Sequence, residues 1–256
     1  MGNFNLPLTE HLGELRKRIL ISFVSVIVVF IIVFNFSENI FDILQLPLKS
    51  ELRLDLTKPY LHINEKIPPP FLMSAIAEVF WMHIKISFIA ALIISLPLLF
   101  YQFWCFISPG LLSKEKKYLM PFMFMATVLF LIGVFFCFFV VLPFAVTFFL
   151  NYKTDDFVVL LKIGDYIDFC LKFIMGFGIV FELPLAIILL ARFGIVSPKT
   201  LAKHRKYAVL FAFVTAGILT PTPDAFNQIL MAVPIIILYE IGIIMARMIY
   251  RKKSNG

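Results

Sequence analysis

Six apolar runs set the terms for this chain: Ile19–Phe36, Val79–Ile107, Leu119–Leu150, Ile167–Phe193, Tyr207–Leu219 and Ile229–Met245, bounded by charge and by Pro and Gly. Runs of roughly 20 predominantly apolar residues read as transmembrane helices. The expected architecture is therefore an all-α membrane protein, a single six-helix membrane domain over residues 1–256. Composition supports this, because 61% of the 256 residues are hydrophobic and only 15% are charged, against roughly 45–50% and about 25% in soluble domains. A soluble fold of this size has no interior large enough for that much apolar surface. With 31 Phe and a mean hydropathy of +0.95, a soluble enzyme, a nucleic-acid module and a disordered chain are all excluded.

Charge gives the runs a direction. Arg16, Lys17 and Arg18 precede the first run like the basic end of a signal peptide, but no small-x-small cleavage site follows and five more runs do, so the run reads as a retained helix. Counted on alternate sides, fifteen Lys and Arg fall with Arg16, Lys114, Arg205 and Arg251, and six fall with Lys49 and Lys153. Short loops rich in Lys and Arg stay in the cytoplasm, which places both termini there, and the absence of a transit peptide favours a prokaryotic plasma membrane. The net charge of +7 is then an orientation signal and calls for no nucleic acid. Most acids lie on the outer side, while Glu10, Glu14 and Glu115 stand in the basic cytoplasmic face as candidate receptors for a cation.

Length adds two expectations. The fifth run covers only about 20 Å at ~1.5 Å per residue, and the sixth is also short, so these two should form a short hairpin through Thr220-Pro221-Thr222-Pro223-Asp224 and thin the bilayer locally. The polar segment 37–77 should cap the outer surface, with a short interfacial helix ended by Pro47 and a stiff run at Ile67-Pro68-Pro69-Pro70.

Little in the chain speaks for chemistry on a substrate. Cys105, Cys137 and Cys170 sit apart in apolar runs, and the four histidines lack metal-ligand spacing, so neither a metal nor a cofactor is expected. Nucleotide-binding and hydrolase signatures are absent from the sequence, and the chain does not read as an enzyme. Glu182 is the informative residue. An acid in the middle of a span costs ~2.5–3.5 kcal/mol and is by default functional. Pro184, two residues on, should break the bond to the Val180 carbonyl and kink the helix, making a polar notch. Glu240 reads as a structural or snorkelled charge with Arg247 two turns away, and Gln228 as a donor toward a partner helix.

The run His11-Leu12-Gly13-Glu14-Leu15-Arg16-Lys17-Arg18 resembles the H-L-x-E-L-R-x-R signature of the TatC family, the multispanning subunit of twin-arginine protein translocases. Tyr101-Gln102-x-Trp104-x-Phe106-x-x-Pro109-Gly110-Leu111 with Glu115 resembles the family's first cytoplasmic loop, and Phe177-Gly178-x-x-Phe181-Glu182-x-Pro184 its fourth-span motif. Thr220-Pro221-Thr222-Pro223-Asp224 is similar to the T-P-x-D turn, with one extra residue. The resemblance implies a receptor for twin-arginine signal peptides that helps move folded proteins across an energy-transducing membrane, driven by the proton motive force and without ATP. It implies a recognition surface of Glu14, Arg16, Phe106 and Glu115, and a membrane-embedded contact at Glu182 for single-span subunits of the TatA/TatB type and for the apolar part of the signal peptide. It further implies a partner contact at Gln228, an outer-cap role for Pro47 and self-association in the receptor complex.

Elementary chemistry is compatible with that surface, because paired guanidinium groups are matched best by fixed carboxylates. Glu14 and Arg18 also stand four apart, so a helix ion pair of ~0.3–0.5 kcal/mol is the plainer account of Glu14. A proton-coupled secondary transporter with Glu182 as the coupling acid is the main alternative. It predicts inverted halves, and no internal repeat is visible in the sequence. An intramembrane hydrolase is a distant third, lacking a nucleophile and base on facing spans.

Overall fold

A computed structural model of the chain describes residues 8–54, 61–65, 69–107, 119–151, 160–220 and 224–254. Eleven helices occur among them: α1 (Leu8–Phe34), α2 (Ser37–Leu44), α3 (Leu46–Lys49), α4 (Glu78–Ile107), α5 (Leu119–Phe136), α6 (Leu142–Asn151), α7 (Ile163–Phe181), α8 (Leu183–Arg192), α9 (Pro198–Lys203), α10 (Arg205–Leu219) and α11 (Ala225–Ser254). Four short strands join them, β1 (Ser50–Leu54) paired antiparallel with β2 (Leu61–Glu65), and β3 (Phe71–Leu72) paired parallel with β4 (Leu161–Lys162). Among the described residues, five stretches are long and apolar enough to cross a membrane: Leu12–Phe34, Glu78–Ile107, Met120–Asn151, Ile163–Arg192 and Ala225–Met248.

Their surfaces read as lipid-facing. Phe23, Ile31 and Phe124 are among many large apolar side chains left exposed, far beyond what a soluble monomer tolerates. Only 11% of the first stretch is buried, whereas 56% of the fourth is, so the fourth span carries the core of its unit.

The chain divides into two compact units, Met1–Asp42 with Phe80–Val128, and Ile43–Val79 with Leu129–Gly256. In the first, α1 begins well before its apolar run, so the basic signature lies on the same helix as the span. In the second, Phe169, Phe173 and Phe177 form a ladder one turn apart along α7, with ring centroids at 4.7 and 6.2 Å, and Phe136 packs on Phe177 and Phe181 at 5.9 and 5.5 Å. Two glycines allow this approach. A Cβ on Gly133 would lie 2.6 Å from the Phe177 carbonyl oxygen, and one on Gly178 would enter the Phe130 ring, the small-residue packing that brings membrane helices together.

Proline shapes the third and fourth spans. Cys137–Val141 is a π-helical turn in which the Leu142 N–H reaches the Cys137 carbonyl; it precedes Pro143, whose ring and missing N–H disfavour a regular α-turn there. The fourth span breaks at Glu182, the single residue between α7 and α8, as Pro184 predicts. At its far end Gly194, at φ 72°, takes the left-handed position after α8, and the Ile195 N–H bonds the Leu190 carbonyl at 3.0 Å.

Four expectations need correction. The fourth helical stretch starts at Ile163, four residues before its predicted apolar run. The last span is not short: α11 takes in Asn227 and Gln228, whose side-chain amide nitrogens both donate within the chain, and the apolar stretch extends to Met248. Pro47 does not end the interfacial helix, which stops at Leu44; it sits in the first turn of α3, where a missing N–H costs nothing. Glu240 pairs with Arg205, Nε to Oε1 at 2.7 Å and Nη2 to Oε2 at 2.8 Å, and not with Arg247. Arg205 opens α10 across the hairpin and presents a two-pronged fit.

Residues between α1 and α4, and the first residue of α4, are fastened to the start of α7. Tyr166 Oη donates to the Leu44 carbonyl at 2.6 Å, the Gly164 N–H donates to Glu78 Oε1 at 3.0 Å, and Phe71 packs on Tyr166. Pro47 and Leu48 of α3 are buried.

Candidate functional site

Two regions gather the sequence-predicted residues, one in each unit. In the first unit α1 sets Glu14 and Arg18 one turn apart, and Arg18 Nη2 meets Glu14 Oε1 at 3.3 Å. Both side chains are 27% exposed. The other arm of the same guanidinium, Nη1, donates to Gln102 Oε1 at 3.0 Å on α4. Gln102 is 7% exposed, so its amide had to find a partner, and α1 supplies it.

This polar node adjoins an apolar groove of about 400 Å³ between α1 and α4. Arg18 and Gln102 form its polar end, and Leu15, Phe23, Leu92, Phe103 and Phe106 are among its walls. Arg16 is exposed on α1. Phe106 lies on the groove wall, one turn after Gln102, so the structure brings Glu14, Arg18, Gln102 and Phe106 together. Glu115 lies outside the described residues.

In the second unit Glu182 occupies the break between α7 and α8. Its N–H bonds the Ile179 carbonyl at 3.1 Å, a tightened turn, and its carbonyl accepts from the Ala186 N–H at 2.9 Å. Ile179, Glu182, Ala186 and Leu190 recur at helical spacing, and all but the partly covered Glu182 are exposed. Glu182 Oε1 is itself buried with no hydrogen-bond partner among the described residues. An acid on an uncovered intramembrane stripe, with one oxygen unsatisfied, is an expensive feature. Behind the stripe, Pro184 and Ile187 pack on Gly242, where a Cβ would lie 3.1 Å from Pro184 Cα.

Gln228 is turned inward, its Nε2 donating to the Phe213 carbonyl at 3.0 Å across the α10–α11 hairpin. Asp224 caps α11, with Oδ1 accepting from the Asn227 N–H at 2.8 Å and Oδ2 from its side-chain amide at 3.0 Å.

Residues 10–234 match the family described as "Sec-independent protein translocase protein (TatC)". The chain belongs to the TatC family. It is 40% identical over 249 residues to the Sec-independent protein translocase protein TatC of Desulforapulum autotrophicum, covering 97% of this chain and 87% of that protein. The TatC of Escherichia coli K12 is 37% identical, with 97% and 91% covered. A solved structure, "Crystal Structure of Twin Arginine Translocase Receptor- TatC in DDM", aligns at 35% identity and a TM-score of 0.77 over 92% of this chain and 99% of that one. As a TatC protein the chain is an all-α, multi-pass membrane component of a protein translocase.

Sequence reading alone missed Gln102 as the second partner of Arg18, although Gln102 stands in the very motif that resembles TatC. The signal that could have found it is an uncharged amide in a 30-residue, mostly apolar helix. Arg205 was missed as the partner of Glu240 because the pair is 35 residues apart and forms only when α10 and α11 fold back on each other.

Proposed function

We propose that this TatC protein is the receptor and core subunit of a twin-arginine translocase. It binds twin-arginine signal peptides and helps export folded proteins at the expense of the proton motive force. It acts as a binding and conducting component and not as an enzyme, with six spans, both termini in the cytoplasm and the whole in a prokaryotic plasma membrane. The fifth of those spans is α10. The observation that carries the reading is the Glu14 carboxylate held beside the apolar groove of α1 and α4. A twin-arginine signal peptide is a guanidinium pair followed by an apolar segment, and a carboxylate next to an apolar channel matches both parts.

Arg16, Phe106 and Glu115 complete the recognition surface in this reading. Glu182 and its uncovered stripe serve a partner helix of a TatA/TatB-type subunit, which would supply the hydrogen bond that Oε1 lacks. Gln228 supports that contact by holding α10 to α11, and Pro47 supports the cap. Copies of the receptor self-associate in the complex.

Binding of a labelled twin-arginine peptide to membranes tests the proposal. Glu14→Ala and Glu115→Ala should each weaken binding on the order of tenfold, the value of a charge-assisted contact. The double variant should lose less than the sum, because both acids serve one arginine pair. A twin-lysine peptide should bind worse than twin-arginine. Unchanged affinity in the double variant would remove the site.

A further inference from the structure

We propose that Arg18 is the resident occupant of the Glu14 carboxylate, a guanidinium of the receptor itself that an arriving arginine has to displace. The inference rests on the signal-peptide reading above and adds a residue that sets how strongly a peptide must bind. Arg18 offers Glu14 the same group the peptide brings, at 3.3 Å from Oε1. Its grip is incomplete. The Nε of Arg18 is buried without a hydrogen-bond partner among the described residues, and the guanidinium is shared between a carboxylate on its own helix and the Gln102 amide oxygen on α4.

That sharing gives the displaced side chain somewhere to go. When a peptide arginine takes Glu14, Arg18 keeps its bond to Gln102 Oε1 and swings its other arm away, so no cation is stranded in the groove end. The exchange subtracts a fixed amount of free energy from every cationic peptide. It leaves the preference for arginine over lysine intact, since competition lowers both affinities by one factor. What changes is the threshold. A peptide with a single cation gains one carboxylate contact and loses most of it in displacing Arg18, whereas an arginine pair retains the contact of its second guanidinium.

Gln102 tunes the same balance. It draws Arg18 toward α4 and so loosens the pair with Glu14. Removing that acceptor leaves Arg18 only Glu14 to hold, which tightens the resident pair and raises the threshold.

Equilibrium binding of two synthetic peptides, one with twin arginine and one with twin lysine ahead of the same apolar segment, tests this on full-length protein in membranes at matched levels. Arg18→Gln should tighten both peptides by a common factor of about two or more, the strength of an i,i+4 ion pair released. Gln102→Leu, an apolar change in an apolar wall, should weaken both about as much. In the Arg18→Gln background, Gln102→Leu should have no further effect, because its action runs through Arg18. Weaker binding of both peptides to Arg18→Gln, with thermal unfolding unchanged, would overturn the proposal and make Arg18 a positioning residue for Glu14. Should Arg18→Gln unfold, tighter binding to Gln102→Leu would overturn it alone. Failure of the signal-peptide reading itself looks different: the wild type would then bind the twin-arginine and twin-lysine peptides equally.

Discussion

Glu182 holds a carboxyl in mid-span with one oxygen unsatisfied, and the two roles open to it, hydrogen bonding or proton transfer, are separable by one atom. Glu182→Gln keeps the size and the ability to donate and accept, whereas Glu182→Ala keeps neither. If the group serves a partner helix, Gln should retain most transport and Ala should lose on the order of tenfold, the range of an interhelical bond of ~1–2 kcal/mol. Transport assayed at matched membrane levels decides this. An inactive Gln variant that still binds its partner would assign Glu182 to proton coupling, as in a secondary transporter. By contrast the Arg205–Glu240 pair, although two-pronged, is half exposed, and such pairs contribute ~0–1 kcal/mol.

Among the helices, α10 is the outlier. Its 15 residues cover about 22 Å at ~1.5 Å per residue, short of a hydrocarbon core of ~30 Å. The neighbouring α11, with 30 residues, meets no such limit, so any thinning of the bilayer originates at α10 and not at the hairpin as a whole. Inserting one turn of Leu into α10 would relieve the mismatch. If thinning assists translocation, transport should fall at least severalfold while expression and thermal unfolding stay level. Full transport with the lengthened helix would make the short span incidental. The insertion belongs before Phe213, so that the Gln228 bond to the Phe213 carbonyl keeps its register.

For the molecule as a whole, the proposed site requires the Glu14 end of α1 to face the side from which cargo arrives. An N-terminal epitope tag should therefore resist protease added to intact spheroplasts and be cleaved once the membrane is permeabilised, as the excess of Lys and Arg on that side predicts. Cleavage in intact spheroplasts would put Glu14 on the wrong side of the membrane and remove the recognition surface. The membrane class, the approximate runs, the break before Pro184 and the family resemblance were all legible in the sequence, because hydropathy, proline sterics and motif spacing are local properties. Tertiary structure alone decided the rest: that Arg18 reaches Gln102, that Glu240 finds Arg205, that Gln228 turns inward and that the last helix runs past its apolar stretch. Each depends on which chains of atoms come within about 3 Å of one another after helices pack, and spacing along the sequence carries no record of that distance.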